Sequence, residues 1–419
     1  MASTSTTLSN PLSANRAPLT PLSEALARLL AAAAPVLPAE VVPVLAADGR
    51  VLAESIVSAL QVPPADCSAM DGYAVRCADV VLGGQPLPVS QRIPAGAAAQ
   101  PLQPGSAARI FTGATVPPGA DAILMQEDCT ALADGVQINQ LPRQGQWIRR
   151  AGEDVHRGAE VMPKGCRLGP AHLGLAASVG QSTLAVVRRP KVALFSTGDE
   201  LVMPGEVAPE HMRPGAIYNS NRFFLSALLR RLGCEVTDLG IVPDQREATV
   251  AALAQAAQSH DLILTSGGVS VGEEDHIKPS VQSLGTLDLW QIAIKPGKPF
   301  AYGRIADCHF MGLPGNPVSS LVTFLLLVRP FVLRLQGLDD RPLPALQLPA
   351  HFDWPRPDKR QEFLRVRRNA AGGLDLFPNQ SSGVLTSTVW ADGLLDNPPG
   401  NGIRAGDMVR YIPLSEYLA

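Results

Sequence analysis

Three stretches of this chain combine residue types that attract and hold an anion. The first is Thr265-Ser266-Gly267-Gly268-Val269-Ser270-Val271-Gly272, with Asp275 after it. Glycines let backbone N–H groups approach a ligand closely, and serine hydroxyls add donors. A helix that starts after such a turn favours negative charge at its N-terminus. A plain glycine turn joining strand to helix accounts for the same letters. Asp275 then reads either as a helix cap or as a carboxylate beside a phosphate cradle. In the second case a cation must bridge carboxylate and ligand, and Mg²⁺ suits carboxylates with phosphate oxygens. The second stretch is Lys295-Pro296-Gly297-Lys298-Pro299. Its prolines stiffen the turn, so two ammoniums are held where an oxyanion could bind; ordinary surface lysines are the alternative. The third is Gly312-Leu313-Pro314-Gly315-Asn316-Pro317-Val318-Ser319. Here Asn316 can cap a helix, Pro317 suits its first turn, and Ser319 lies in that turn.

Several carboxylates occupy unusual settings. Asp71 lies in Ser68-Ala69-Met70-Asp71-Gly72-Tyr73, Asp154 follows Gly152-Glu153, and Glu200 ends Ser196-Thr197-Gly198-Asp199-Glu200. Asp in glycine-bounded turns also serves local hydrogen bonds. Asp244 begins a helical stretch with Glu247 three residues on, a spacing close to a capping box. No G-x-S-x-G elbow, G-x-x-x-x-G-K-[ST] loop or G-x-G-x-x-G fingerprint occurs, and the seven histidines show no metal-ligand spacing. These absences argue against a serine hydrolase, a P-loop nucleotidase and a dinucleotide-binding enzyme.

The elements that must position these residues change character along the chain. Residues 1–20 read as a flexible tail, with a transit peptide a remote alternative, since the amphipathic Arg pattern is missing. Residues 21–35 read as a helix capped by Ser23, with Leu26, Leu29 and Leu30 on its apolar stripe. From Pro63 to about Arg150 short alternating runs and Gly-Pro turns predict a β-rich insertion. The segments flanking it, 21–62 and 152–188, are expected to form one discontinuous linking domain around the insertion at 63–151. Residues 189–337 alternate strand and helix. The spacing predicts VALFS and VTDLGIV as strands, with a helix between them bearing Phe224, Leu225, Leu228, Leu229 and Leu232 on one face. A second helix, with Val250, Leu253 and Ala257 inward, precedes DLILTSGG. WQIAI, PFAYGRI and HFMGL read as further strands of a mainly parallel sheet covered on both faces. Ligands bind such sheets beyond the carboxyl ends of the strands. After a Pro-rich joint, residues 338–419 read as a small β domain, in which EFLRVRR sets Leu364 and Val366 against Phe363, Arg365 and Arg367.

The whole chain of 419 residues is 46% apolar and 17% charged, which excludes global disorder. Its 35 basic and 38 acidic side chains leave a net charge of −3, so no basic excess supports a nucleic-acid or anionic-membrane surface. Six scattered cysteines form no C-x-x-C pair, which argues against a zinc site or disulfide scaffold and fits a reducing, cytoplasmic setting. No apolar run reaches the length needed to span a bilayer, and the best candidate, 321–335, is expected to be broken by Arg329-Pro330.

Six motifs occur in order: Ser68-Ala69-Met70-Asp71-Gly72-Tyr73-Ala74, Phe111-Thr112-Gly113-Ala114, Ser196-Thr197-Gly198-Asp199-Glu200-Leu201, Ser266 to Gly272 with Asp275, Lys295 to Pro299, and Gly312 to Pro317. Together they resemble the molybdopterin molybdenumtransferase (MoeA) family and the similar E domain of gephyrin, over about residues 20–419. The glycine loop alone is shared with related molybdopterin-binding folds, including the adenylyltransferase. Asp71 with its neighbours and the flanking domains separate the two.

The resemblance implies an elongated multidomain chain with a molybdopterin-binding three-layer α/β domain, a β-rich inserted domain, a discontinuous linking domain and a C-terminal β-barrel-like domain. It implies a Mg²⁺-dependent transfer of molybdate to adenylylated molybdopterin with release of AMP. It further implies a homodimer whose site is shared across the interface, with molybdopterin adenylyltransferase and molybdoenzyme maturation proteins as possible partners. Carried over by motif, Asp71, Thr112, Asp154, Glu200, Asp244, Asp275, Lys295 and Lys298 are the catalytic candidates, with Glu200 and Asp275 as Mg²⁺ ligands. Ser266, Gly267, Gly268, Ser270, Gly272, Pro314, Ser319, Arg360 and Ser382 are the substrate-binding candidates. Arg360 rests on Arg360-Gln361-Glu362-Phe363, where the family has Arg-x-Glu-Phe; Gln380-Ser381-Ser382-Gly383 departs from the family's usual spelling. Cys67 stands where the family often has Asn. Two rival readings share this fold: a gephyrin-type scaffold without enzymatic activity, and a paralogue that handles tungstate.

Overall fold

The computed structural model describes residues 19–34, 36–268, 276–338 and 343–418. Asp275, Ser270 and Gly272 lie outside them. The chain divides into two compact units, residues 40–186 and a second that joins the described residues before 40 to those from 187 onward.

In the 40–186 unit a four-stranded sheet runs in the order 89–93, 107–110, 72–75, 122–125. Strand periodicity sends Tyr73 and Val75 to one apolar cluster with Ala107 and Leu124, and Ala74 to another with Ala108 and Ile123. The sheet is thus buried on both faces. Gly72 permits the pairing, because a Cβ there would lie 1.8 Å from the Leu124 carbonyl oxygen. A separate core joins Val44, Leu52 and Ile56 to Val155, Met162, Leu168 and Val186, residues from either side of the sheet segment.

The other unit is built on a six-stranded sheet. Its order is Glu235–Val242, Lys191–Thr197, Leu262–Ser266, Cys308–Leu313, Pro299–Ile305, Thr286–Gln291. The first three pairings are parallel and the last two antiparallel, so the sheet is mixed, with parallel pairing in the majority. Only Asp307 and its neighbours separate the last two long strands, too short a link for a crossover, so they form a hairpin. WQIAI also divides: one strand ends at Gln291, and Ile294–Lys295 pairs instead with Gln361–Arg368 of a second sheet. That sheet runs 294–295, 361–368, 393–397, 408–413, 346–349. Its strand Gln361–Arg368 alternates between faces as expected, but both faces are covered, so Phe363, Leu364, Arg365 and Val366 are all buried. Leu364 and Val366 join the C-terminal core, and Phe363 joins the α/β core.

Helix starts differ from expectation by one or two residues. The first helix is Leu22–Ala32 with Pro21 at its N-cap position, so Ser23 lies inside it and does not cap. Its buried Ala25 and Leu29 pack into the α/β core, which assigns this helix there rather than to the 152–188 side. The helix after Asp244 is Arg246–Ala257 with Gln245 at the N-cap position; no Asp244–Glu247 capping box forms, and the inward residues are Thr249, Leu253 and Ala256.

The apolar run near the C-terminal joint is not broken. Pro317–Leu335 is continuous, with α-helical ends and a π-helical segment at Phe324–Val328. Pro330 lacks an N–H and crowds the carbonyl four residues back in an α-helix. An i→i+5 segment just before it changes the carbonyl it would face. By length and composition this helix could cross a membrane, but 72% of its apolar window is buried, as befits a core helix.

Candidate functional site

Parallel pairing sets the carboxyl ends of 191–197, 262–266 and 308–313 side by side, with Ser196 opposite Ser266 and Ser266 opposite Leu313. The loops that leave these ends are Gly198 to Glu200, Gly267-Gly268 and Pro314 to Asn316. They border an open cleft of about 610 Å³, whose other walls include Tyr218, Asn219, Asn221 and Gly383.

The first two loops need glycine. Gly267 has φ +95°, and a Cβ on it would lie 2.8 Å from the Thr197 carbonyl oxygen. Gly268 has φ +69°, and its Cβ would meet Ile277 at 2.4 Å. The turn therefore passes as bare backbone between neighbouring elements, and the Gly267 N–H donates to the Leu313 carbonyl at 3.0 Å. Glu200 is exposed at the mouth, and its carboxylate folds back over Gly198, where a Cβ would sit 2.7 Å from Oε2.

The third loop leads into Pro317–Thr323. Asn316 occupies the N-cap position without a side-chain capping bond, and Pro317 lies in the first turn. The Val318 N–H instead donates to the Ser382 carbonyl at 2.9 Å, which brings the 381–385 segment onto this helix start. Ser319 is buried one residue further on, and Pro314 is buried as well.

Lys298 immediately precedes Pro299, which pairs with Gln291; the neighbouring Ala301 faces Gly312. The lysine turn thus falls on the same sheet edge as Pro314. Gly297 packs against the helix, where a Cβ would strike Thr323 Oγ1 at 2.5 Å. Lys298 forms no ion pair with a described residue. Lys295 differs, with its ammonium 3.2 Å from Glu362 and 3.6 Å from Asp358. Arg360 grips the Asp358 carboxylate through Nε at 2.9 Å and Nη2 at 2.8 Å. That fork, with the Arg360 backbone N–H, holds the Asp358 carboxyl well below the usual carboxylate range.

Ser266 is tied to a neighbouring element through its lone pair. Its Oγ accepts from Asn221 Nδ2 at 2.7 Å, and the same amide donates to the Gly315 carbonyl at 2.7 Å. Asn221 therefore ties the first loop to the third. Sequence reasoning missed it because an Asn opening a helix reads as a terminus signal. Asn219 was missed too: it is buried in the cleft wall, and its amide nitrogen has no hydrogen-bond partner among the described residues. Asn221→Ala should remove both bonds and lower stability by about 2 kcal/mol. A thermal unfolding midpoint equal to wild type would show that the two loops do not depend on this bridge.

Asp71, Thr112 and Asp154 belong to the 40–186 unit. Asp71 Oδ1 accepts from the Thr112 N–H at 2.7 Å and from its hydroxyl at 2.8 Å. These bonds, and Arg109 nearby, lower the Asp71 carboxyl from its ordinary value. Arg109 is itself held by the Gly72 carbonyl and stacks on Tyr73 and Phe111. Asp154 is exposed, and its backbone N–H donates to Val62. Asp244 precedes its helix in a partly buried position. No group of three or more Asp, Glu, His or Cys side chains suited to a metal occurs among the described residues. Mg²⁺ does not need one, because it usually takes one or two carboxylates with waters and substrate phosphates. Glu200 at the cleft mouth meets that requirement from the described residues.

An α/β sheet with a cleft at its strand ends, in one chain with β modules, defines a multidomain α/β protein. Residues 20–180 match the family model of the MoeA N-terminal region (domain I and II), residues 193–334 that of a probable molybdopterin binding domain, and residues 347–414 that of the MoeA C-terminal region (domain IV). The chain is 47% identical over 293 residues to a molybdopterin molybdenumtransferase of Haemophilus influenzae, covering 70% of this chain and 71% of that one. It is 40% identical over 371 residues to molybdopterin molybdenumtransferase 2 of Mycobacterium tuberculosis, covering 85% and 90%. The solved molybdopterin biosynthesis MoeA protein of Pyrococcus horikoshii superposes with a TM-score of 0.81 at 29% identity, over 94% of this chain and 100% of that one. The chain belongs to the molybdopterin molybdenumtransferase (MoeA) family.

Proposed function

We propose that this chain is a molybdenum insertase, a transferase that moves molybdate onto adenylylated molybdopterin with loss of AMP. The observation that carries this reading is the convergence of three features on one sheet edge: the glycine turn after Ser266, the Lys298 turn and the helix start at Pro317. Each favours negative charge, and the substrates are anionic. The names of the similar proteins agree with a transferase in molybdenum cofactor biosynthesis.

In this reading the backbone at Gly267-Gly268 receives the pyrophosphate, and Asn221 keeps that turn in register with Gly315. Lys298 attracts molybdate, and Lys295 and Arg360 orient it through hydrogen bonds. Ser319 and Ser382 add polar groups at the helix start. Held geometry lowers the barrier by removing the search between two bound reactants. Glu200 and Asp275 would hold Mg²⁺, which when bound screens carboxylates from pyrophosphate. Asp71, Thr112 and Asp154 belong to a second set of polar groups, expected to complete the site across a homodimer interface.

The test is AMP release from adenylylated molybdopterin, with molybdate and with Mg²⁺ varied. Wild type should require both, and Asp275→Ala should lose nearly all turnover with its melting temperature unchanged. Full Mg²⁺-dependent turnover by this variant would remove Asp275 from the site. A matching loss of stability, about 1 kcal/mol, would favour the helix-cap reading.

A further inference from the structure

The lysine turn begins within a set of four charges that sum to zero. Lys295 and Arg360 supply two positive charges, and Asp358 and Glu362 two negative ones, all within ion-pair distance of a partner. Glu362 is 0% exposed; while Oε1 faces Lys295, Oε2 accepts from Trp354 Nε1 at 2.8 Å and from Asn397 Nδ2 at 3.2 Å. It is a fully bonded fixed charge. Asp358 is spent on Arg360, whose Nε–Nη2 side it occupies, leaving the Nη1 edge with one long contact of 3.5 Å to the Ile294 carbonyl.

A dianion approaching this edge therefore meets two oriented cations whose charge is already cancelled, and one, Lys298, whose charge no described residue cancels. Strong ground-state capture would be a disadvantage here, because an oxyanion held equally well before and during transfer gains nothing in rate. We propose that Asp358 and Glu362 set the oxyanion affinity of the lysine turn: they fix Lys295 and Arg360 in place while cancelling their charge, so that attraction rests on Lys298 and the oxyanion stays loosely held. Asp358 and Glu362 are thus positioning residues, and the inference rests on the reading of this edge as a molybdate acceptor.

Asp358→Asn removes the charge and keeps part of the geometry. The amide oxygen can still accept from the Arg360 backbone N–H and from Nε, as Oδ1 does at 3.0 and 2.9 Å, while the amide nitrogen gives up the bond that Oδ2 accepts from Nη2. Molybdate titrated calorimetrically into the full-length wild type, Asp358→Asn and Lys298→Ala decides the matter. Asp358→Asn should bind molybdate about tenfold more tightly, the effect of removing one unit charge a few ångströms from a dianion in a water-like dielectric. Its affinity for adenylylated molybdopterin should not move, and the gain should shrink at high salt. Equal or weaker molybdate binding by a folded Asp358→Asn protein, with wild type binding normally, overturns the proposal and leaves Asp358 as an orienting group for Arg360. Absence of molybdate binding by wild type and Asp358→Asn alike overturns the acceptor reading itself, and this inference with it.

Discussion

Lys298→Ala should raise the molybdate concentration needed for half-maximal rate by about ten- to a hundredfold, the loss of one charge-assisted hydrogen bond of about 1.5–3 kcal/mol. Affinity for adenylylated molybdopterin should change little, because the glycine turn after Ser266 is held by Asn221 and Leu313 rather than by the lysine turn. The effect should exceed that of Lys295→Ala, since Lys295 already faces Glu362 and Asp358. Lys298→Arg should rescue only in part: a planar guanidinium does not reproduce a compact ammonium. Steady-state rates across a molybdate series, at saturating nucleotide substrate, give the answer. An unchanged molybdate dependence in Lys298→Ala would place the oxyanion elsewhere.

The second large effect is restoration of activity by two dead chains. Asp71 lies in the 40–186 unit and Asp275 in the part of the chain that follows Val187. If the site is shared across a two-fold interface, a dimer of Asp71→Ala with Asp275→Ala carries both lesions in one site and none in the other. Co-expressed chains with different tags, purified through both, should then reach about half of wild-type turnover. A randomly reassorted mixture should reach about a quarter, because roughly half its dimers are mixed. No recovery in heterodimers confirmed by mass would mean that both residues serve one subunit's site.

Much of the architecture was legible because apolar periodicity is local. The strand 191–197, the helix 221–231 and the buried strand 262–266 each follow from a few consecutive residues. The glycine requirement at Gly267 was legible for the same reason. What escaped depends on partners far along the chain. Ser266 reads as a ligand-facing hydroxyl until Asn221, 45 residues earlier, is seen to donate to it. Lys295 reads as a free cation until Glu362, 67 residues later, is found beside it. Charge cancellation of this kind has no sequence period. Helix starts at Leu22 and Arg246 slipped because Ser23 and Asp244 fit a capping pattern that the backbone does not use. The strand at 361–368 shows no exposed face between 363 and 366 because two different cores claim its two faces. In that sandwich Arg365 is buried against the Phe363 and Ser381 carbonyls and the Ser387 hydroxyl, with its guanidinium pushed down to about 10 by burial.

The π-helical segment at Phe324–Val328 has a consequence for chain length. An i→i+5 turn accommodates one residue more than an α-turn, so the two ends of Pro317–Leu335 are offset by about 100° from the alignment of an uninterrupted α-helix. One end carries Asn316 and Pro317 to the cleft, and the other carries Phe331 and Val332 into the core. The number of residues between them acts as an angular setting. Removing one residue would keep every side-chain type nearby and still turn the cleft end a quarter of a circle or so away from the lysine turn. At this helix the spacing between Asn316 and Gly337 therefore carries as much information as any side chain within it.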